Sequence, residues 1–261
     1  KARLCSFHSL QNNAWDNFVM ADIEGIKIIG QSLKDKANYY SKKYNIPILD
    51  NHLNVPCLVF DNDVSLDFQS TILKNSFNTG KFKTRISNFQ SELLIKKAIG
   101  FSEKKQQTIL DITGGLGHDA FIIALLGEKV TLVEKNKGLC ILLEEALNSL
   151  PLTSYFSEAQ SRITVINKDS REFVPMANEF DVIFADPMFN SNKKLKRTQQ
   201  MEFLDKYLNE YDDPSLDFYK TRFKRMVVEK ELRSSSGIKE DPAISFKGTS
   251  IKFDVYHKGE I

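Results

Sequence analysis

Cysteine is scarce in this sequence, and no stretch of it stays apolar for long. The three cysteines, Cys5, Cys57 and Cys140, are an odd number set far apart. That argues against a disulfide framework and for a reducing compartment. No two of them form a CxxC pair, so neither a structural zinc nor another metal is expected. No apolar run reaches the ~18 residues of a membrane span. The first twenty residues carry Asn12, Asn13, Asp16 and Asn17 and no apolar signal region. These absences predict a cytoplasmic protein with no membrane partner. Nor is there a surplus of one charge. The formal net charge is only +2, so any nucleic-acid surface has to be a local patch.

What is present is an ordinary globular composition, 41% hydrophobic and 27% charged over 261 residues, long enough for a sizeable core. Residues 1–88 read as a small α+β unit. "IKIIG" (Ile26–Gly30), "PCLVFDND" and "VSLDF" are strand-like, and Ser32–Asn45 is helical with Ser32 as its cap. The polar, basic stretch Asn75–Phe89 reads as a loop. From there the rhythm changes. "SELLIKKAIGF" predicts a helix capped by Ser91, with Leu93, Leu94, Lys97 and Ala98 at helical spacing. Strand, helix, strand, helix then follow in "TILDIT", "HDAFIIALLG", "KVTLVE" and "GLCILLEEALNSL". "ITVINKD", "FDVIFADP", "RMVVEK" and "IKFDVYHK" are further strands. Such alternation predicts a doubly wound, mostly parallel sheet over residues 89–261. At its end, "AISFKGTSIKFDVYHK" leaves room only for a turn at Lys247–Ser250, hence an antiparallel hairpin.

The first strand of that unit runs into "LDITGGLGHDAF". Gly115, Gly117 and Ala120 fit a dinucleotide fingerprint, and Glu134 ends the next strand, where an acid binds ribose hydroxyls. A dinucleotide, however, lays its pyrophosphate on the helix N-terminus. Asp111 and Asp119 flank that position here and would repel it. S-adenosylmethionine carries no phosphate and has a cationic sulfonium and ammonium, which such acids suit. The turn therefore reads as an S-adenosylmethionine site. The plainer role for Asp119 is to complement the helix dipole, worth ~0.3–1 kcal/mol, and for Glu134 to be a solvated strand-end acid.

"FDVIFADPMF" ends in Asp186-Pro187-Met188-Phe189, aimed at the same crevice. An aryl amine is a poor nucleophile because its lone pair is delocalised. Asp186 and the Pro187 carbonyl can accept hydrogen bonds from its two N–H groups and turn that lone pair toward a methyl. Proline fixes the turn, and Phe189 can stack on a base, worth ~1–3 kcal/mol. Read plainly, the same residues are a strand closed by a proline turn with Phe189 in the core. After the third strand, Asp169 or Ser170 can line the adenine pocket, or Asp169 can cap a helix. Lys193, Lys194, Lys196 and Arg197 follow the Asp-Pro turn, and Lys81, Lys83 and Arg85 form a second basic loop. Both suit RNA phosphates, or are solvated surface.

Taken together, these motifs resemble the ribosomal small-subunit RNA methyltransferase J family, over roughly Leu66–Tyr256. The resemblance implies a Rossmann-like class I methyltransferase that moves a methyl group from S-adenosylmethionine to the N2 amine of a guanosine in small-subunit (16S) ribosomal RNA. The RNA, free or in the small ribosomal subunit, is then the partner. By this likeness His118 and Asp119 stand for the family's basic residue and aspartate. Glu134, Lys135, Asp169, Ser170 and Asp186 stand at cofactor positions. Where the family's later strand runs into basic residues, this chain has Glu229 before Lys230. Three other readings stay open: a different amine acceptor (adenine N6 or a protein amide), an NAD-dependent oxidoreductase, and a non-catalytic RNA-binding module on the same fold.

Overall fold

The computed structural model describes residues 23–49, 55–68, 71–187, 203, 213–234 and 238–258. Phe189, Lys193, Lys194, Lys196 and Arg197, assigned above to base stacking and RNA, lie outside the described residues, as does Cys5. Among the described residues, no helix is long and apolar enough to cross a membrane.

Strand β1 (Gly25–Ile28) is followed by helix α1 (Lys34–Tyr44), β2 (Cys57–Phe60), β3 (Val64–Phe68) and β4 (Thr71–Leu73). β1 and β2 pair in parallel and the other two neighbours antiparallel, giving a four-stranded sheet. Ser32 lies in a 3-10 turn before α1, which starts without a side-chain cap. Asn45 ends α1 in the left-handed conformation.

The stretch read as a loop holds helix α2 (Gly80–Ser87). Its sequence is mostly polar, so propensity alone does not predict it. Burial of Ile86, and packing of Phe82 beside Phe77, supply the tertiary stabilisation a short helix needs. Ser91 is likewise not a cap. It sits in a 3-10 turn, donates to the Asn88 carbonyl, and leaves α3 (Leu93–Ile99) to begin after Glu92. The buried face of α3 is Ile95, Ala98 and Ile99, while Leu93 is 60% exposed.

The second sheet has the order β10-β11-β9-β8-β5-β6-β7. Its strands are β5 (Thr108–Asp111), β6 (Lys129–Glu134), β7 (Ile163–Asn167), β8 (Val182–Ala185), β9 (Phe223–Glu231), β10 (Ile244–Lys247) and β11 (Ile251–Lys258). The five from β9 to β7 are parallel, and β10 and β11 form the expected antiparallel hairpin. Helix α4 (His118–Leu125) joins β5 to β6, with every residue from Ala120 to Leu125 buried. Helix α5 (Lys137–Asn148) presents Leu139, Cys140, Ile141 and Leu142 to the core of the smaller sheet, including Tyr40, Phe60 and Leu66. Each buried leucine, isoleucine or phenylalanine among them is worth about 1.5–3 kcal/mol. A further helix, α6 (Ser154–Ser161), is capped by Thr153. We propose 1–88 and 89–261 as the division of the chain into units. Packing crosses it, since Phe77 and Ile86 join the core of the larger sheet. After β5 the order reverses: β6 lies on one side and β8 on the other. That switch opens a crevice beyond the strands' carboxyl ends.

Candidate functional site

The glycine turn is shaped by packing as much as by any ligand. Gly114 donates to the Val133 carbonyl, and a Cβ there would lie 2.3 Å from Leu132. Gly117 has φ +75°, and a Cβ would meet Leu143 at 2.4 Å. These two let β5, β6 and α5 close on one another. Gly115 is different: it has φ +53° and a Cβ there would meet only the Thr113 carbonyl oxygen, at 3.7 Å, so it is the glycine a ligand can approach. Its N–H donates to Glu134 Oε2 at 2.8 Å, and Asn136 N–H donates to Oε1 at 2.7 Å. Glu134 thus holds the turn. Burial raises its pKa, against the pull of those two N–H donors and of Lys135.

Four acids on four elements line the switch point. Asp111, at the end of β5, is buried and accepts from Thr113 N–H (3.0 Å) and Oγ1 (3.3 Å). Burial, with Asp119 adding repulsion, pushes its carboxyl up to about 7. Thr113 Oγ1 in turn accepts from the Asp186 N–H at 2.7 Å. This links the ends of β5 and β8 and fixes the Asp-Pro backbone. Pro187 is buried, while Asp186 is exposed. Asp119, Asp186 and Glu229 each bring a carboxylate oxygen to within 4.8 Å of the other two. Partial desolvation by the surrounding protein, with Asp119 and Asp111 beside Asp186 and with Asp186 and Asp119 beside Glu229, raises both carboxyls above the ordinary carboxylate range.

Arg85 is the main correction to the sequence reading. It does not belong to a phosphate-binding loop. It points inward from α2, with Nη2 2.7 Å from Asp119 Oδ1 and Nε 2.8 Å from Glu92 Oε1. Lys81 and Lys83 remain exposed on the same helix. His118 packs its ring on Phe82 at 4.2 Å between centroids, and burial lowers its pKa. Asp169 takes the capping role: its Oδ1 accepts from Arg171 N–H at 2.9 Å. Ser170 is buried beside it. Lys135 shares its carbonyl with Asn167, which ties the ends of β6 and β7. Sequence reasoning missed Thr113 and Glu92, placed Arg85 in a phosphate-binding loop, and met Glu229 only as an oddity of pattern.

The arrangement fits S-adenosylmethionine better than a dinucleotide. Gly115 leaves room for a ligand, Glu134 lies one strand away, and the switch point carries Asp111, Asp119, Asp186 and Glu229. Their combined field favours a cation and disfavours a pyrophosphate.

The crowding of these acids has a measurable effect on the free protein. Glu229 holds its proton more tightly folded than unfolded. Below the ordinary glutamate value, about 4.3, both states are protonated, and Glu229→Gln changes nothing through ionisation. Above it the unfolded chain ionises first, so wild-type protein loses stability relative to the variant as pH rises. Thermal unfolding of both proteins at pH 4 and pH 8 should show a gap that widens with pH. An offset independent of pH would mean that Glu229 ionises normally.

Comparison with known proteins agrees with this geometry. Residues 43–258 match the family model described as "Putative SAM-dependent methyltransferase". The ribosomal RNA small subunit methyltransferase J of Francisella tularensis subsp. novicida is 30% identical over 207 residues, 76% of this chain and 86% of that one. The protein of the same name from Francisella philomiragia is 28% identical over the same lengths. A crystal structure of a SAM-dependent methyltransferase from Neisseria gonorrhoeae superposes with a TM-score of 0.68 at 21% identity, covering 90% of this chain and 96% of that one. The fold is therefore that of the class I methyltransferases, the cofactor is S-adenosylmethionine, and the chain belongs to the ribosomal RNA small subunit methyltransferase J family.

Proposed function

We propose that this enzyme methylates the exocyclic N2 amine of a guanosine in small-subunit (16S) ribosomal RNA. The observation that carries the reading is Asp186. It stands exposed just past the end of β8, its carboxylate beside those of Asp119 and Glu229, on a backbone clamped by Thr113. The methyltransferase J relatives, by name, act on small-subunit ribosomal RNA.

Glu134 and the Gly115 turn would hold the adenosine end of the cofactor, and Asp111, Asp119 and Asp186 its cationic end. Bound there, S-adenosylmethionine supplies an electrophilic methyl group. The chain's own task is orientation, which is worth up to ~7–11 kcal/mol. The Asp186 carboxylate and the Pro187 carbonyl accept from the two N–H groups of the amine and aim its lone pair. Asp186 is also placed to take the proton that nitrogen sheds. The base has to reach the crevice unstacked. RNA phosphates would be met by the run Lys193, Lys194, Lys196 and Arg197. Lys81 and Lys83, exposed on α2, would offer further charge.

The test is transfer of labelled methyl from S-adenosylmethionine to purified small-subunit RNA, to small-subunit particles, to large-subunit RNA and to ribosomal protein. Label should enter small-subunit RNA, free or in particles. Label in protein alone would replace this reading with an amide acceptor. Binding without transfer to any of them would make the chain a non-catalytic module.

A further inference from the structure

Glu229 stands one register step past the last paired residues of β8 and β9, Ala185 and Val228. It is therefore the cross-strand neighbour of Asp186. In-register side chains on adjacent parallel strands leave the same face, about 4.8 Å apart. The order β9-β8-β5-β6 sets the strand-end acids in a row: Glu229, Asp186, Asp111, Glu134. Glu134 marks the ribose end. Glu229 closes the other end, one strand beyond the residue that holds the amine. Three charged groups from other elements face it besides Asp186: Asp119 from α4, Arg85 from α2, and Glu92 before α3. The nitrogens of Arg85 are turned to Asp119 and Glu92. Lys230, next along β9, points to the other side of the sheet. There its ammonium bonds Asp254 at 3.0 Å and the Tyr256 hydroxyl at 3.2 Å.

We propose that Glu229 determines which purine is accepted, by taking the N1–H of the guanine whose N2 amine Asp186 holds. This rests on the guanine-N2 reading above. A flipped base is read on its Watson–Crick edge, and guanine presents N1–H directly beside its N2 amine. An ionised carboxyl is acceptor-only, so two neighbouring carboxyls match two neighbouring donors. Adenine presents a lone pair at N1 beside its N6 amine, which a carboxylate repels. In the free protein burial and crowding raise the proton affinity of Asp186 and Glu229. The cationic cofactor and the guanine N–H donors are what allow Glu229 and Asp186 to ionise together.

The experiment compares small-subunit RNA fragments carrying guanine or 2-aminopurine at the mapped target nucleotide. 2-Aminopurine keeps the N2 amine, but its N1 is an acceptor. Wild-type protein should prefer guanine by about 10- to 150-fold in kcat/KM, the equivalent of one hydrogen bond to a charged group. In Glu229→Gln the amide can turn its oxygen or its NH2 toward N1, so the preference should fall to within a few-fold. Affinity for S-adenosylmethionine and a cooperative thermal transition, measured on the same sample, establish that the variant is folded. Guanine product with the same purine preference in variant and wild type overturns the Glu229 assignment alone. No guanine product from wild-type protein overturns the guanine reading, and this assignment with it. Transfer that requires added Mg²⁺ and stops with EDTA overturns it as well, by making Asp119, Asp186 and Glu229 metal ligands.

Discussion

Asp186→Ala lowers the single-turnover rate of methyl transfer by about 10²–10³-fold, the range for removing one preorganised polar group that acts on the transition state. Asp186→Asn lowers it less, because the amide keeps the size and one acceptor oxygen and loses only the charge. KM for RNA should change little, since an interaction made mainly in the transition state appears in kcat. The Asp-Pro backbone should survive both changes, because Thr113 holds it through the Asp186 N–H and not through the side chain. Nor should the fold suffer: each variant removes one carboxyl from a mutually repelling group. Affinity for S-adenosylmethionine should fall modestly, and affinity for its uncharged thioether product should fall less. Single-turnover transfer with saturating variant protein separates these effects. Wild-type rates in a folded Asp186→Ala protein would remove Asp186 from the mechanism.

Glu134→Ala weakens cofactor binding by about 1.5–3 kcal/mol, the range for hydrogen bonds to a charged group. The ribose is common to cofactor and product, so calorimetry should give equal losses for both. That equality sets Glu134 apart from Asp186, which distinguishes the charged sulfur from the neutral one. Glu134 also accepts from Gly115 and Asn136, and its loss loosens the turn. Glu134→Gln keeps an acceptor for the turn and should fall between Ala and wild type. Unchanged affinity in a folded Ala variant would leave Glu134 with a structural role only.

The larger sheet was legible because its signals are local. β5, the glycine turn, α4 and β6 follow one another without a break, each with its own periodicity. The terminal hairpin was legible from the short Lys247–Ser250 turn. What escaped depends on partners distant in sequence. Arg85 looks like one cation in a basic stretch until α2 forms, and α2 forms because Phe82 and Ile86 find apolar surface elsewhere. The second carboxyl of the crevice was hidden for a similar reason. Only the parallel pairing of β8 with β9 brings Glu229 beside Asp186. Asp169 shows the reverse case: cap and ligand roles call for the same side chain, and the structure shows it bonded to Arg171 N–H. Gly117 reads as a ligand glycine by motif, yet the position is closed by Leu143. In both, the residue type was informative and its neighbour was not visible.

The most direct test of the central claim is the identity of the methylated nucleoside. Small-subunit RNA incubated with the enzyme and S-adenosylmethionine is digested to nucleosides and resolved by mass spectrometry against standards. The account predicts N2-methylguanosine at one position, formed far more slowly with Asp186→Ala. N6-methyladenosine as the product, or a methyl group on carbon, would contradict it.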